Sequence, residues 1–196
     1  MIRRTETLVE AVNGALRLLG ERPLASLDED RVSALRAKEA LGDVLAAIIR
    51  EFDWNFAQGE AVLPADPAYT AGRFAFGYRL PADCLRVVSV VDVDDAAWQI
   101  VDGGAVSLLV TDAAAPRIVY SRFSAEPNRW DALFLPLFQA RLAIAVAPAL
   151  GADTARADRA EIEATRALVR ARRADASERG GDFISNETSW VTVRSR

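Results

Sequence analysis

The N-terminal part of the chain has the apolar spacing of two helices. A first helix is predicted from about residue 5 to 19, where four leucine and valine side chains recur on one helical face: Leu8, Val12, Leu16 and Leu19. Gly20 follows directly and is placed to end that helix. Ser26 and Glu29 have the spacing of a capping box, which predicts a second helix from near Leu27 or Asp28 to about Phe52.

From Asn55 to Asn128 the pattern changes to short strands separated by turns. Aromatic residues alternate with small or charged ones from Phe74 to Leu80, which predicts a strand with one aromatic face. Further strands are predicted at 85–93, 97–101, 106–110 and 117–123, and Gly103 and Gly104 lie in a hairpin turn. Five or six antiparallel strands of this kind fit a small sandwich or curled sheet inserted between helices.

Helical periodicity returns at Trp130 and continues to the end of the last helix. The stretch after Trp130 is apolar almost all round, which predicts the central buried helix of a bundle. Pro136 lies in or near its first turn, and Pro148 ends or kinks it. A last helix is predicted from about Thr154 to Arg179, with small or apolar residues along one side: Ala157, Ala160, Ala164, Leu168, Ala171 and Ala174.

Together these patterns predict an α+β fold. A helical bundle of about four helices carries an inserted small antiparallel β domain and an extended C-terminal arm. The helical body comprises residues 1–56 and 129–180, the β insertion comprises 57–128, and the arm comprises 181–196.

Composition narrows the class of protein. A chain of 196 residues with 51% hydrophobic content can bury one sizeable core or two small ones. No apolar window is long enough to span a membrane, and the N-terminus lacks a signal-peptide pattern, so we expect cytoplasmic synthesis and no membrane partner. The single cysteine, Cys84, cannot form an internal disulfide and is expected to be a small buried hydrophobic residue.

The chain contains no histidine, which removes the commonest general base and metal ligand. A carboxylate-dependent hydrolase using Asp92, Asp94 or Glu126 stays open as an alternative, although the acidic residues near position 94 are more typical of a solvated turn. The Gly103–Gly104 pair lacks the lysine and helix start of a phosphate loop. No motif predicts a cofactor or a metal. The net charge of −4 also argues against a free DNA-binding module.

Five motifs occur in the same order as in a known family. They are AVNGALRLLGERPLASLDED (11–30), REFDWNFA (50–57), LPADCLRV (80–87), WQIVDGG (98–104) and WDALF (130–134). Over about residues 6 to 180 the chain resembles the tail tubular protein A family, the head-to-tail adaptors of short-tailed bacteriophages. The chain departs from the family pattern at Pro136 and in its tail.

The resemblance implies a structural virion protein rather than an enzyme. A head-to-tail adaptor is the first expectation, and another neck or tail-completion protein is the alternative within this class. Twelve copies would form a ring in the neck, bound to the portal protein above, to a tail nozzle or other tail protein below, and to each other. Double-stranded DNA would pass through the channel without sequence-specific binding. A closed ring needs two different complementary faces on each subunit, for which the alanine-rich side and the charged side of the last helix are candidates.

Two segments are candidates for contact with partners. Trp54, Asn55 and Phe56 mark the change from helix to strand, and such residues are more often core anchors than a partner surface. The tail has no local core for its apolar residues, so we expect it to lie on the portal or on a neighbouring subunit. The residues predicted to make this contact are Phe183, Ile184, Trp190, Val191, Arg194 and Arg196.

Overall fold

The computed structural model of the protein describes residues 7–91, 97–104 and 106–178. These residues form four α helices and six β strands, so the mixed α+β prediction is confirmed. The predicted arm, residues 181–196, lies outside the described residues. The elements are α1 (Leu8–Leu18), α2 (Val32–Glu51), β1 (Gln58–Val62), β2 (Phe76–Arg79), β3 (Cys84–Val91), β4 (Trp98–Asp102), β5 (Ser107–Thr111), β6 (Arg117–Arg122), α3 (Phe134–Val146) and α4 (Thr154–Ser177).

A capping box that the sequence analysis did not identify starts α1. The Thr7 hydroxyl accepts a hydrogen bond from the Glu10 backbone N–H at 3.2 Å, and the Glu10 carboxylate accepts one from the Thr7 N–H at 2.7 Å. The second bond favours the ionised carboxylate and lowers the pKa of Glu10. Two otherwise unpaired backbone donors are thereby satisfied at the helix start.

The predicted start of α2 is wrong by about one helical turn. Only half of the Ser26–Glu29 box forms. The Glu29 carboxylate accepts hydrogen bonds from the backbone N–H groups of Ala25 and Ser26, whereas the Ser26 hydroxyl accepts from the N–H of Asp28 at 3.1 Å instead of that of Glu29. These bonds stabilise a turn and do not start a helix, because the side chains give the backbone N–H groups the partners that a helix would otherwise provide. The helix begins only after Arg31, which donates to the carbonyl of Pro23 at 3.0 Å.

Helix α3 is the centre of the bundle, and α1, α2 and α4 each pack against it. Most of its side chains are buried, as its apolar pattern predicted. Pro136 lies in its first turn, where no intrahelical N–H is needed, and the helix ends before Pro148. Helices α2 and α4 have little or no direct contact along their length.

Contacts at the two ends of the bundle give the directions of the helices. Arg156, at the start of α4, donates to the carbonyl of Leu19 after the end of α1, at 2.8 Å. At the opposite end, Asn55 follows α2 and binds Asp175 near the end of α4. Helices α2 and α4 therefore run in the same direction, and α1 and α3 run in the other.

The alanine-rich side of α4 is buried within the subunit. Ala160, Ala164, Ala167 and Ala171 are at most 6% exposed, and Ala160, Ala167 and Ala171 belong to the core formed with α3. Small side chains let the two helices approach closely. This side is therefore not free to form a ring interface, which corrects that part of the prediction.

The six strands form two three-stranded antiparallel sheets. The first sheet has the order β1-β6-β3 and the second the order β2-β5-β4. The predicted hairpin is confirmed, with Trp98 opposite Thr111 and Asp102 opposite Ser107. Both sheets contribute to one small core, so the insertion is a sandwich; its buried residues are Leu63, Tyr78, Val87, Leu109, Ile118 and Tyr120.

The strand predicted to have one aromatic face is shorter than expected. The chain bends before Phe76, where the Ala75 N–H donates to the Asp112 carboxylate at 2.8 Å. Phe74 consequently packs with Leu108 and Val110, whereas Tyr78 belongs to the core between the sheets. Strand β1 (Gln58–Val62), which pairs with β6, is not among the predicted strands.

An aromatic cluster joins the helical body to the β insertion. Trp54 is 1% exposed, and its ring nitrogen donates to the carbonyl of Ile48 at 2.9 Å. Its ring lies 5.0 Å from that of Phe52 and 5.2 Å from that of Phe134, both in edge-to-face geometry. One side chain thus fixes the end of α2, the start of α3 and the approach to β1.

Replacing Trp54 tests this anchoring role. We predict that Trp54→Ala lowers the free energy of unfolding by about 3 to 5 kcal/mol, because a large ring leaves a cavity in the core. Trp98→Ala is the matched control, since Trp98 is 37% exposed. Urea titration should show a small change for Trp98→Ala. Equal losses for the two variants would contradict the anchoring role of Trp54.

Candidate partner-binding surfaces

The carboxylates considered for catalysis do not form a site among the described residues. Asp92 and Asp94 lie outside the described ranges. The Glu126 side chain is 58% exposed, and its carboxylate pairs with the Arg129 guanidinium at 2.6 Å. Within the described ranges, no group of three or more acidic, cysteine or histidine side chains is arranged to hold a metal ion. No described contact therefore favours the hydrolase alternative.

Cys84 and Tyr120 lie beside Asp83 at the start of β3. Burial, with a further contribution from the Asp83 charge, raises the pKa of the half-buried Cys84 thiol. The pKa of Tyr120 is also raised, mainly by burial and then by the charge of Asp83. The Tyr120 hydroxyl donates to the Asp83 carboxylate at 3.3 Å. Both groups keep their protons at neutral pH, so neither is an activated nucleophile.

The segment Trp54–Asn55–Phe56 holds the subunit together, as the core-anchor interpretation predicted. Trp54 is buried, and Phe56 packs against the same core with its ring 4.7 Å from that of Phe134. The Asn55 backbone N–H donates to the Asp175 carboxylate at 2.8 Å, and the Asn55 amide donates to the Asp175 carbonyl at 2.8 Å. These bonds tie the start of the insertion to the end of α4.

Charged side chains add contacts at the same junction between the helical body and the β insertion. Arg50 at the end of α2 donates to the carbonyl of Leu85 in β3, and Arg86 pairs with Asp53. Arg172 of α4 lies over the Phe52 ring at 5.2 Å, which is cation–π geometry. Elements from both parts of the fold therefore meet here through directional contacts, which favours a fixed orientation of the β insertion.

The outer side of α4 carries exposed apolar residues. Ile162 is 51% exposed and Val169 is 64% exposed, and their spacing places both on the side opposite the buried alanines. Around them lie Arg166 and Arg170, which share one acidic partner, Glu163, at 3.5 and 3.9 Å. This surface, which we call the α4 outer face, combines apolar contact area with excess positive charge.

A second exposed apolar group lies on the insertion. Trp98 and Ile100 of β4 are 37% and 40% exposed, and Phe76 of β2 is 42% exposed. Trp98 and Phe76 both lie opposite Thr111, so they flank the middle strand on one face of the sheet. Strand β4 is an edge strand, and within the described residues no strand pairs with its outer side.

A small groove lies at the turn between α3 and α4. Its volume is about 300 Å³, and apolar side chains including Ile144, Ala147 and Pro148 line most of it. Thr154 and Glu161 supply its polar groups. So few convergent polar groups do not define a recognisable substrate site.

The predicted tail contacts cannot be placed in this structure. Phe183, Ile184, Trp190, Val191, Arg194 and Arg196 all lie outside the described residues.

Among the described helices, none has the length and apolar character required to cross a membrane.

Asp175 is a structural residue that the sequence analysis missed. It is 4% exposed and continues the buried side of α4 one turn after Ala171. An acidic residue on the apolar side of a helix is a detectable signal, because burial requires it to have partners. The partner was not detectable, since Asn55 is distant along the chain.

Comparisons with known proteins place this chain in no family. No protein-family model matches it, and no curated protein matches it at a significant level.

The Asp175 contact can be tested by mutation. Asp175→Ala should lower the free energy of unfolding by about 1 to 3 kcal/mol, because the Asn55 N–H loses its present acceptor. Asp158→Ala is the matched control, since Asp158 is exposed on the same helix. Thermal or chemical unfolding that gives the same result for both variants would show that the Asp175 bond does not stabilise the joint.

Proposed function

We propose that this protein is a head-to-tail adaptor of the tail tubular protein A type. It would form a ring beneath the portal of a phage particle and extend the DNA channel toward the tail. The main support for the proposal is where the five motifs lie in the fold. Each of them includes a connection between helices or strands, or an end of one of these elements. Residues at such connections determine how the elements are arranged, so similarity there indicates a shared fold. Similarity confined to one face of a helix would indicate only similar helix packing.

The first motif shapes the connection after α1. The Asn13 amide donates to the carbonyl of Leu24 at 2.8 Å and accepts from its N–H at 2.7 Å. Gly20 has φ of +74°, a conformation suited to glycine just after a helix. Gly14 lets Gln139 of α3 lie against α1, because an added Cβ would be 2.1 Å from the Gln139 amide nitrogen.

The second and fifth motifs meet in the aromatic cluster. Trp54 comes from the second, while Trp130 and Phe134 come from the fifth. The rings of Trp54 and Trp130 lie 5.2 and 5.4 Å from the ring of Phe134. Residues distant along the chain therefore form one core at the junction with the β insertion.

The third and fourth motifs shape the insertion. The carbonyl of Asp83, in the third motif, accepts the N–H of Phe123 at 2.8 Å and thereby pairs the start of β3 with the end of β6. In the fourth motif, Gly104 has φ of +85° and its N–H donates to the Asp102 carboxylate at 2.8 Å. These bonds fix the entrance to one strand and the turn of one hairpin.

The charge of the chain also fits a DNA channel. Each copy carries a net charge of −4, so a ring of copies would carry a large net negative charge. Like charges repel phosphate, which lets duplex DNA slide without being held.

The proposed function predicts the number of copies in a defined complex. The chain should bind a purified portal from the same genome as a closed ring, and twelve copies are expected. Native mass spectrometry of the reconstituted complex measures that number. A control with the chain alone shows whether the ring needs the portal as a template. Only one or two copies per portal would contradict the proposal.

The tail is proposed to supply much of the portal attachment. Ordering residues 182–196 costs about 1 to 2 kcal/mol of backbone entropy per residue, so they must gain a substantial interface. Phe183, Ile184, Trp190 and Val191 would provide apolar contact, and Arg194 and Arg196 would orient the segment toward carboxylates.

Removing residues 182–196 should leave the helical circular dichroism signal and the melting temperature nearly unchanged while greatly weakening portal binding. A full-length control with serine at the four apolar positions separates loss of contacts from loss of length. Unaltered portal affinity in the truncated protein would rule out this role for the tail.

A further inference from the structure

We infer that neighbouring copies in the ring meet through two helices, the α4 outer face of one copy packing on α2 of the next. This inference rests on the proposed ring and names the surfaces that close it. A closed ring needs two different complementary faces on every subunit. Helices α2 and α4 provide them, because both pack on α3 yet have little direct contact with each other.

The α4 outer face supplies side chains that project from the subunit. Ile162 and Val169 are more than half exposed, although both are among the most apolar residue types. They lie about 10 Å apart along the helix, since each residue advances the axis by about 1.5 Å. Neither belongs to a hydrophobic cluster of the described structure.

Helix α2 supplies a surface that could receive them. The receiving surface consists of Gly42, Asp43 and Ala46, all exposed or partly exposed. Glycine inside a helix costs about 1 kcal/mol relative to alanine. An added Cβ at Gly42 would meet no atom within 4 Å, so no close contact in the described structure requires a glycine here. Close approach of a helix from another copy would give Gly42 such a role.

Charge on the two surfaces is complementary. Asp43 is exposed and forms no ion pair among the described residues, and Glu39 lies one turn earlier with only Arg36 as its partner. On the α4 outer face, Arg166 and Arg170 share Glu163, and Arg173 is exposed one turn after Val169. An acidic receiving surface therefore meets a basic projecting one, which favours unlike faces and disfavours like ones.

The two surfaces also lie at the same height in the bundle. Arg172 of α4 contacts Phe52 at the end of α2, and the two helices run in the same direction. Ile162 precedes Arg172 by as many residues as Gly42 precedes Phe52, so both lie about 15 Å from that contact.

Equal height matters because cyclic symmetry rotates a subunit without moving it along the ring axis. With the bundle aligned along that axis, Ile162 of one copy comes beside Gly42 of the next. Arg166, one turn beyond Ile162, then comes beside Ala46 and within reach of Asp43. The apolar contact of Ile162 with Gly42 and the ionic contact of Arg166 with Asp43 therefore form at one and the same alignment of the two helices.

A bulky residue at Gly42 separates assembly from folding. Gly42→Leu should raise the melting temperature by about 2 to 4 °C, since leucine is the better helix former and the site is open. The same variant should bind the portal as full rings, which we call loading, only at a protein concentration at least about tenfold higher than the wild type needs. Gly72→Leu is the matched control, because Gly72 is also open to solvent but lies on the insertion. It should load like the wild type.

Charge reversal tests the ionic contact independently. Asp43→Arg and Arg166→Asp should each reduce loading, and the double variant should restore much of it, because the pair is re-formed with the signs exchanged. Native mass spectrometry at rising protein concentration distinguishes full rings from portals that carry a few copies.

The outcomes distinguish the two proposals. Full wild-type rings together with normal loading by Gly42→Leu and by both charge variants would refute the helix contact and leave the ring standing. Absence of wild-type rings on the portal would refute the proposed function itself. Loss of loading by Gly42→Leu with an unchanged fold, joined by rescue in the double charge variant, would support both.

Discussion

The packing of Trp54 between the end of α2 and the start of α3 is the interaction on which the rest of the structure depends. Its ring contacts those of Phe52 and Phe134, and its N–H is satisfied by the carbonyl of Ile48. The chain leaves the helical body here and enters the insertion, and it returns near Trp130, whose ring packs on the same Phe134. One core therefore holds both crossings between the two parts of the fold.

Polar contacts around this core determine orientation, which apolar packing alone leaves loosely specified. Asp175 binds Asn55, and Arg172 lies over Phe52, so the end of α4 is tied to the same point as the end of α2. This common point makes the directions and relative heights of α2 and α4 a property of the subunit. The proposed ring would depend on this fixed geometry, since small errors in angle accumulate around a closed ring.

The sequence predicted those features that depend on local periodicity. Apolar spacing identified the four helices, and the glycine pair at 103–104 identified the hairpin. The predicted start of α2 is too early because Ser26 and Glu29 bind backbone N–H groups in a turn much as they would at the start of a helix. The alanine-rich side of α4 was assigned to the wrong contact, because small residues suit packing within and between subunits equally well. The partner of Asp175 depends on chain folding, which local pattern does not encode.

The adaptor proposal is tested most directly by an electron reconstruction of the neck of phage-like particles produced from the genome that carries this chain. The account predicts a closed ring of this protein directly beneath the portal, with α4 of each copy against α2 of the next and DNA density along the axis. A neck without this protein would contradict the account, as would copies attached separately to the portal with these two helices apart.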